Sequence, residues 1–122
     1  MGASRAPPVA LVIEDEGLIR MSIAEDLRAG GWTVHETATG EEAMGLFRAN
    51  RIDVVFTDIE LAGTLSGWEV AEIFRSTHPD LAIIYTSGKV AVESRKVPNS
   101  EFFGKPYDTR EILAACDRLV AR

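Results

Sequence analysis

A chain of 122 residues fits one domain and leaves no room for a second. Its 46% apolar and 26% charged residues exclude a disordered polypeptide, and a net charge of -6 offers no basic surplus for binding nucleic acid. A single Cys excludes an internal disulfide and a Cys-rich zinc site, and no apolar run approaches the roughly 18 residues of a membrane span.

Residues 1–8 (MGASRAPP) are small, polar and Pro-rich and are expected to form a disordered lead-in, with the domain running over 9–122. They lack the long apolar segment of a signal peptide, so a cytoplasmic protein is expected. From Val9 two patterns alternate. Short apolar runs rich in β-branched and aromatic residues occupy Val9–Ile13, Thr33–Glu36, Ile52–Thr57, Leu81–Thr86 and Glu101–Phe103, and they predict buried strands. Between them lie helical spacings. Ile19, Ile23 and Leu27 recur every four residues and stop at Gly30-Gly31. Ala43, Met44 and Phe47 follow the capping-box spacing Thr39-Gly40-Glu41-Glu42, and Val70, Ile73 and Phe74 follow Ser66-Gly67-Trp68-Glu69. A last helix, opened by Asp108-Thr109-Arg110-Glu111, carries Ile112, Cys116 and Leu119 on its apolar stripe, where Cys116 is expected to be a packed thiol. Residues 89–100 have poor periodicity and contain Pro98, which predicts a short or irregular fourth helix. Five alternations of strand and helix imply a doubly wound α/β fold, a parallel sheet with helices on both faces.

The polar residues at the ends of the apolar runs carry the chemistry. The first run ends in Glu14-Asp15-Glu16, the third in Asp58, the fourth in Thr86-Ser87-Gly88 and the fifth in Gly104-Lys105-Pro106. In an open parallel sheet all C-terminal strand ends share one edge, where ligands bind. Each residue alone has an ordinary explanation as a cap, a turn or a solvated charge. Together they place carboxylates, a hydroxyl and an ammonium in one cleft. Two carboxylates about 4 Å apart repel by roughly 4 kcal/mol at an effective dielectric near 20, so such a cluster calls for proton uptake or a cation. Oxygen donors without His or Cys favour a hard ion such as Mg²⁺, which leaves room for phosphate oxygens, and a lysine is a point charge suited to phosphate. An ionised Asp in such a place can attack phosphorus and form an acyl phosphate.

From Val9 to Val120 these residues resemble the receiver domain of two-component response regulators. The matching pieces are Glu14-Asp15, the lone Asp58, Thr86-Ser87-Gly88 and Phe102-Phe103-Gly104-Lys105-Pro106. The resemblance implies a flavodoxin-like (βα)5 fold with strand order 2-1-3-4-5. It implies Asp58 as phosphoacceptor, Asp15 as direct Mg²⁺ ligand, Glu14 as the second acid acting through water, and the Glu60 carbonyl as a backbone ligand. Ser87 takes the place of the hydroxyl that reorients toward the phosphoryl group, with Thr86 the adjacent alternative. Lys105 takes that of the phosphate-binding lysine, with a cis bond to Pro106, and Phe102 that of the aromatic switch. The loop after Asp58, residues 59–68, is about one residue longer than in chemotaxis-type members. Glu60 and Lys89 are expected to flank the site, either as an exposed ion pair that screens it or as two independently solvated charges. Neither His35, on a strand, nor His78, at a helix end, fits a phosphohistidine, so the donor is a sensor histidine kinase or a histidine phosphotransfer protein. The chain stops sixteen residues after Pro106, so no output domain of its own is expected. That implies passing the phosphate onward, sequestering a kinase or docking to a partner, with a phosphorelay or sink role preferred, an unidentified downstream protein, no nucleic acid and no membrane.

Three other readings stay open on sequence alone. A receiver-like interaction protein that is never phosphorylated shares the fold. An Asp-nucleophile phosphatase of the haloacid-dehalogenase kind would need a second Asp where Glu60 stands and a Thr where Ala62 stands. A flavodoxin-like FMN binder would need a Ser, Thr and Gly loop where Glu14-Asp15-Glu16 lies.

Overall fold

The five apolar runs become β1 (Val9–Ile13), β2 (Thr33–Thr37), β3 (Val54–Asp58), β4 (Ala82–Ser87) and β5 (Ser100–Gly104). The helices between and after them are α1 (Gly17–Ala29), α2 (Gly40–Ala49), α3 (Gly67–Thr77) and α4 (Thr109–Val120). The structure, a computed structural model, describes residues 6–88 and 95–120. All strand pairs are parallel and the order is β2-β1-β3-β4-β5, as the spacing of elements and the resemblance imply.

Alternation along the strands divides the core in two. Ala10, Val12, Val54, Phe56, Ala82 and Ile84 face α1 and α4, where they meet Ile23, Leu27, Ile112 and Cys116. Leu11, Ile13, Val55, Ile83 and Tyr85 face α2 and α3 and meet Ala43, Phe47, Val70 and Phe74. Every residue of β3 and β4 is buried, because a central strand of a doubly covered sheet meets helices on both faces. The Cys116 thiol is buried, and burial pushes its pKa up to about 12, the signature of a packing group.

Several sequence expectations shift in detail. Ile52, Asp53 and Leu81 lie before their strands; Asp53 instead ties the sheet's lower edge, its carboxylate accepting from the Val9 N–H at 2.8 Å. β3 runs one residue past the expected Thr57 and ends on Asp58. Ile73 is 45% exposed and Ile19 and Met44 are half-buried, so the core stripes are narrower than the spacing suggests. The fourth-helix expectation rests mainly on residues 89–94, which lie outside the described residues.

Capping differs among the three helices with box-like starts. Before α3 the box is complete: Glu69 N–H donates to Ser66 Oγ at 3.2 Å and Ser66 N–H to Glu69 Oε1 at 2.9 Å. Before α2 only Thr39 caps, because the Glu42 carboxylate accepts from the Thr37 hydroxyl instead. At α4 the Asp108 carboxylate accepts from Arg110 N–H, so no box forms. The α3 box matters to the site, because it sets α3 directly under the end of β3. A Cβ on Gly67 would stand 2.3 Å from the Asp58 carbonyl oxygen and 2.8 Å from Ile59 Cα.

Two glycine substitutions separate this close approach from helix propensity. Gly67→Ala is expected to destabilise the domain by about 1–3 kcal/mol through overpacking, despite the better helix former. Gly45→Ala, in α2 with nothing within 4 Å of the new Cβ, is expected to stabilise it by about 0.5–1 kcal/mol. Urea denaturation reads both, and a stabilising Gly67→Ala would contradict the packing described.

Candidate functional site

Strand order decides which ends meet. β1 lies beside β3, so residues just past Ile13 stand next to Asp58, and β5 lies one strand further on beside β4. Glu14 is wholly buried at the top of β1, Asp15 beside it is exposed, and Asp58 is 3% exposed. These three each present a carboxylate oxygen within 4.8 Å of the others. Lys105, just past β5, reaches across β4 and donates to Asp58 Oδ2 at 2.7 Å and Glu14 Oε1 at 3.2 Å, with Glu16 Oε1 at 3.9 Å. The Lys105–Pro106 bond is cis.

Main-chain donors complete the cluster. The Glu60 N–H donates to Asp58 Oδ1 at 3.0 Å, and the Glu16 N–H to Glu14 Oε2 at 3.1 Å. Both oxygens of each buried carboxylate therefore have a partner. Burial nonetheless pushes the Glu14 carboxyl up to about 7; the Glu16 N–H opposes the rise, the Asp58 charge adds to it and Lys105 opposes it. For Lys105, burial alone would lower the ammonium, but the hydrogen bond to Asp58 and the charges of Asp58 and Glu14 outweigh it and hold it above its ordinary value. Two largely buried carboxylates thus share one ammonium, a cluster one positive charge short. Its donors are all oxygens, so it fits a small hard divalent cation.

The Ser87 hydroxyl lies elsewhere. It donates to the Glu60 carboxylate, at 3.0 Å to Oε1 and 2.8 Å to Oε2, while the Ser87 carbonyl accepts from Lys105 N–H at 2.7 Å. Thr86 is fully buried on β4 opposite Asp58. Phe102 is half-buried on β5 and stacks on Trp68 of α3, with centroids 6.5 Å apart and planes at 13°. Lys89, the expected partner of Glu60, lies outside the described residues. His35 is half-buried on β2, and His78 caps the end of α3 with its edge against Phe47.

Three neighbours escaped the sequence reading. Arg20, on the first turns of α1, donates to the Glu14 carbonyl at 2.8 Å, a contact foreshadowed only by its place after the acidic run. Tyr107 packs edge-on against Phe56, and burial followed by the Glu14 charge pushes its phenol up to about 12. Gly67 stood in the capping box, but nothing in its spacing reveals the Asp58 carbonyl above it. The loop after Asp58 is held from the side by α2: Thr64 donates through N–H and hydroxyl to Glu41 Oε2, at 2.9 and 2.6 Å, and Gly63 takes φ 92° against that carboxylate. A side chain would be strained there.

A family model described as "Response regulator receiver domain" matches residues 10–117. The response regulator MprA of Mycobacterium sp. (strain KMS) is 31% identical over 95% of this chain and 52% of its own length. The probable transcriptional regulatory protein TcrX of Mycobacterium tuberculosis is 29% identical over 98% of this chain and 53% of its own. The sensor kinase CckA of Brucella abortus is 29% identical over 92% of this chain and 12% of its own. The chain thus spans about half the length of the two regulators and a small part of the kinase. Among solved structures, a response regulator receiver protein from Sinorhizobium medicae superposes with TM-score 0.90 and 29% identity over 94% of this chain and 95% of that one. The response regulator TrrA of Thermotoga maritima, solved with Mg²⁺ and BeF, gives TM-score 0.80 and 29% identity over 92% of this chain and 98% of that one.

The raised Glu14 pKa fixes the sign of a pH effect. The folded state holds a proton that the unfolded chain releases near 4.5, so this contribution is complete below pH 4.5 and is lost as pH rises through about 7. Without added divalent cation, stability is expected to fall by about 1–3 kcal/mol from pH 5 to pH 7.5, and Glu14→Gln should flatten the slope. Urea midpoints at the two pH values measure this; a wild type that is equally stable at both would contradict the burial argument.

Proposed function

Because this chain belongs to the response regulator receiver domain family, we propose that it accepts a phosphoryl group onto Asp58 from the phosphohistidine of a sensor histidine kinase or a histidine phosphotransfer protein. Receiver domains are signalling domains, and residues 9–122 act here as one such domain. The observation that carries this reading is the Lys105 ammonium set between Asp58 and Glu14, with Asp15 in the same carboxylate cluster.

Asp58 is the nucleophile. One of its oxygens attacks phosphorus; the phosphorus–nitrogen bond of the phosphohistidine breaks as a phosphorus–oxygen bond forms, and the departing imidazole keeps the electron pair. Little acid–base chemistry is needed, because positioning and charge neutralisation carry the transfer. The Glu60 N–H keeps the carboxylate oriented through Oδ1 while Lys105 moves its hydrogen bond from Oδ2 to an incoming phosphoryl oxygen. Asp15, Asp58, the Glu60 carbonyl and, through water, Glu14 would hold Mg²⁺, which would neutralise charge on the phosphoryl oxygens. The new acyl phosphate brings about -1.5 to -2 charge to an edge already rich in carboxylates. Ser87 supplies a hydroxyl donor to that charge, and Phe102 on the neighbouring strand follows the rearrangement.

Intact mass after incubation with Mg²⁺ and a small phosphodonor tests the assignment. Wild type is expected to gain one phosphoryl group, about 80 Da for HPO₃, and Asp58→Asn none. Lys105→Met should cut the modified fraction about tenfold or more. Modification that survives Asp58→Asn would move the chemistry to another residue, and a wild type that never responds would favour a receiver-like interaction protein.

A further inference from the structure

Glu60 touches two parts of the site at once. Its backbone N–H holds Asp58 Oδ1 at 3.0 Å, and its side chain accepts from the Ser87 hydroxyl through both carboxylate oxygens, at 3.0 and 2.8 Å. Ser87 is 1% exposed, whereas the Glu60 residue is exposed, so an outer carboxylate reaches in to take a hydroxyl proton that water serves poorly. A hydrogen bond to an ionised acceptor is roughly twice as strong as a neutral one. The main chain leaves little slack, because the Ser87 carbonyl is bound to Lys105 N–H at 2.7 Å.

We propose that the Glu60 side chain is a positioning residue that clasps the Ser87 hydroxyl away from Asp58 and competes with the phosphoryl group for its proton. A hydroxyl carries one proton and donates it to one acceptor group at a time. Donation to Glu60 and donation to a phosphoryl oxygen on Asp58 are therefore exclusive. Whatever the clasp contributes to the resting state is lost from the gain on phosphorylation, which makes Glu60 a brake on occupancy of the activated arrangement. This inference rests on the phosphoacceptor reading in one respect: the rival acceptor is the group on Asp58.

Two measurements test it. The first is NMR of the metal-free protein, reading Ser87 χ1 from three-bond couplings. Wild type and Glu60→Gln, whose amide oxygen still accepts, are expected to keep one rotamer, and Glu60→Ala to average. A wild type that already averages, or a Glu60→Ala variant that does not, overturns the clasp whatever happens at Asp58. The second is titration with beryllofluoride in excess Mg²⁺. Glu60→Ala is expected to lower the half-saturating concentration about tenfold and Glu60→Gln by less, since the neutral amide is the weaker acceptor. In a Ser87→Ala background the Glu60→Ala step should change it by less than about twofold, because Glu60 acts through that hydroxyl. Equal gains for Ala and Gln that survive Ser87→Ala would assign the effect to plain charge repulsion and overturn the proposal. Wild type that binds no beryllofluoride would overturn the phosphoacceptor reading and the competition with it, whereas an additive cycle in a wild type that does bind overturns the clasp alone.

Discussion

One ammonium shared by two carboxylates organises the upper edge of this protein. Lys105 Nζ lies 2.7 Å from Asp58 and 3.2 Å from Glu14, and those residues come from the ends of three different strands. The contact exists only because β1 lies beside β3 and β5 lies just past β4 on the other side, so sheet order comes before site chemistry. Taking these groups out of water costs several kcal/mol per ion, and one lysine offsets the charge of one acid. What remains is a pocket with an unmatched negative charge, and burial, with the Asp58 charge adding to it, raises the pKa of Glu14 there. A small cation or a proton completes it. The same imbalance that burdens the fold makes the edge responsive.

The rest of the structure serves to hold Asp58 where Lys105 can find it. β3 is buried throughout, so Asp58 sits at the end of a central, fully packed strand. Gly67 lets α3 start against the Asp58 carbonyl, and the Ser66–Glu69 box fixes where that helix starts. Glu41 secures the loop between them through Thr64. Glu60, first in that loop to reach back, orients the carboxylate by its main chain and engages Ser87 by its side chain.

Strand and helix alternation, strand ends and the set of polar residues at those ends were legible in the sequence, because burial on both faces produces continuous apolar runs and the fold puts their termini on one edge. Residues 14, 15, 58 and 105 met there as expected. Distances across the sheet were not legible. Arg20, Tyr107 and Gly67 belong to the neighbourhood through three-dimensional approach, which no periodicity records. Ile73 reads as core by spacing and stands 45% exposed, because period alone cannot say how wide the buried stripe is. The two unfinished capping boxes fail because their carboxylates find other partners: Glu42 accepts from Thr37, outside its four-residue pattern, and Asp108 from the Arg110 N–H, inside its own. Ser87 was legible as a hydroxyl at the site, but its bond to Glu60 depends on how the loop after Asp58 folds back.

The claim that the site is a single electrostatic unit held across three strands has a direct measure in a double-mutant cycle between Asp58→Asn and Lys105→Met, read as unfolding free energy without divalent cations. Side chains in contact at 2.7 Å should give a coupling of about 1–3 kcal/mol. Additivity within about 0.5 kcal/mol would mean that the two residues do not interact, and the edge would be a collection of separate charges.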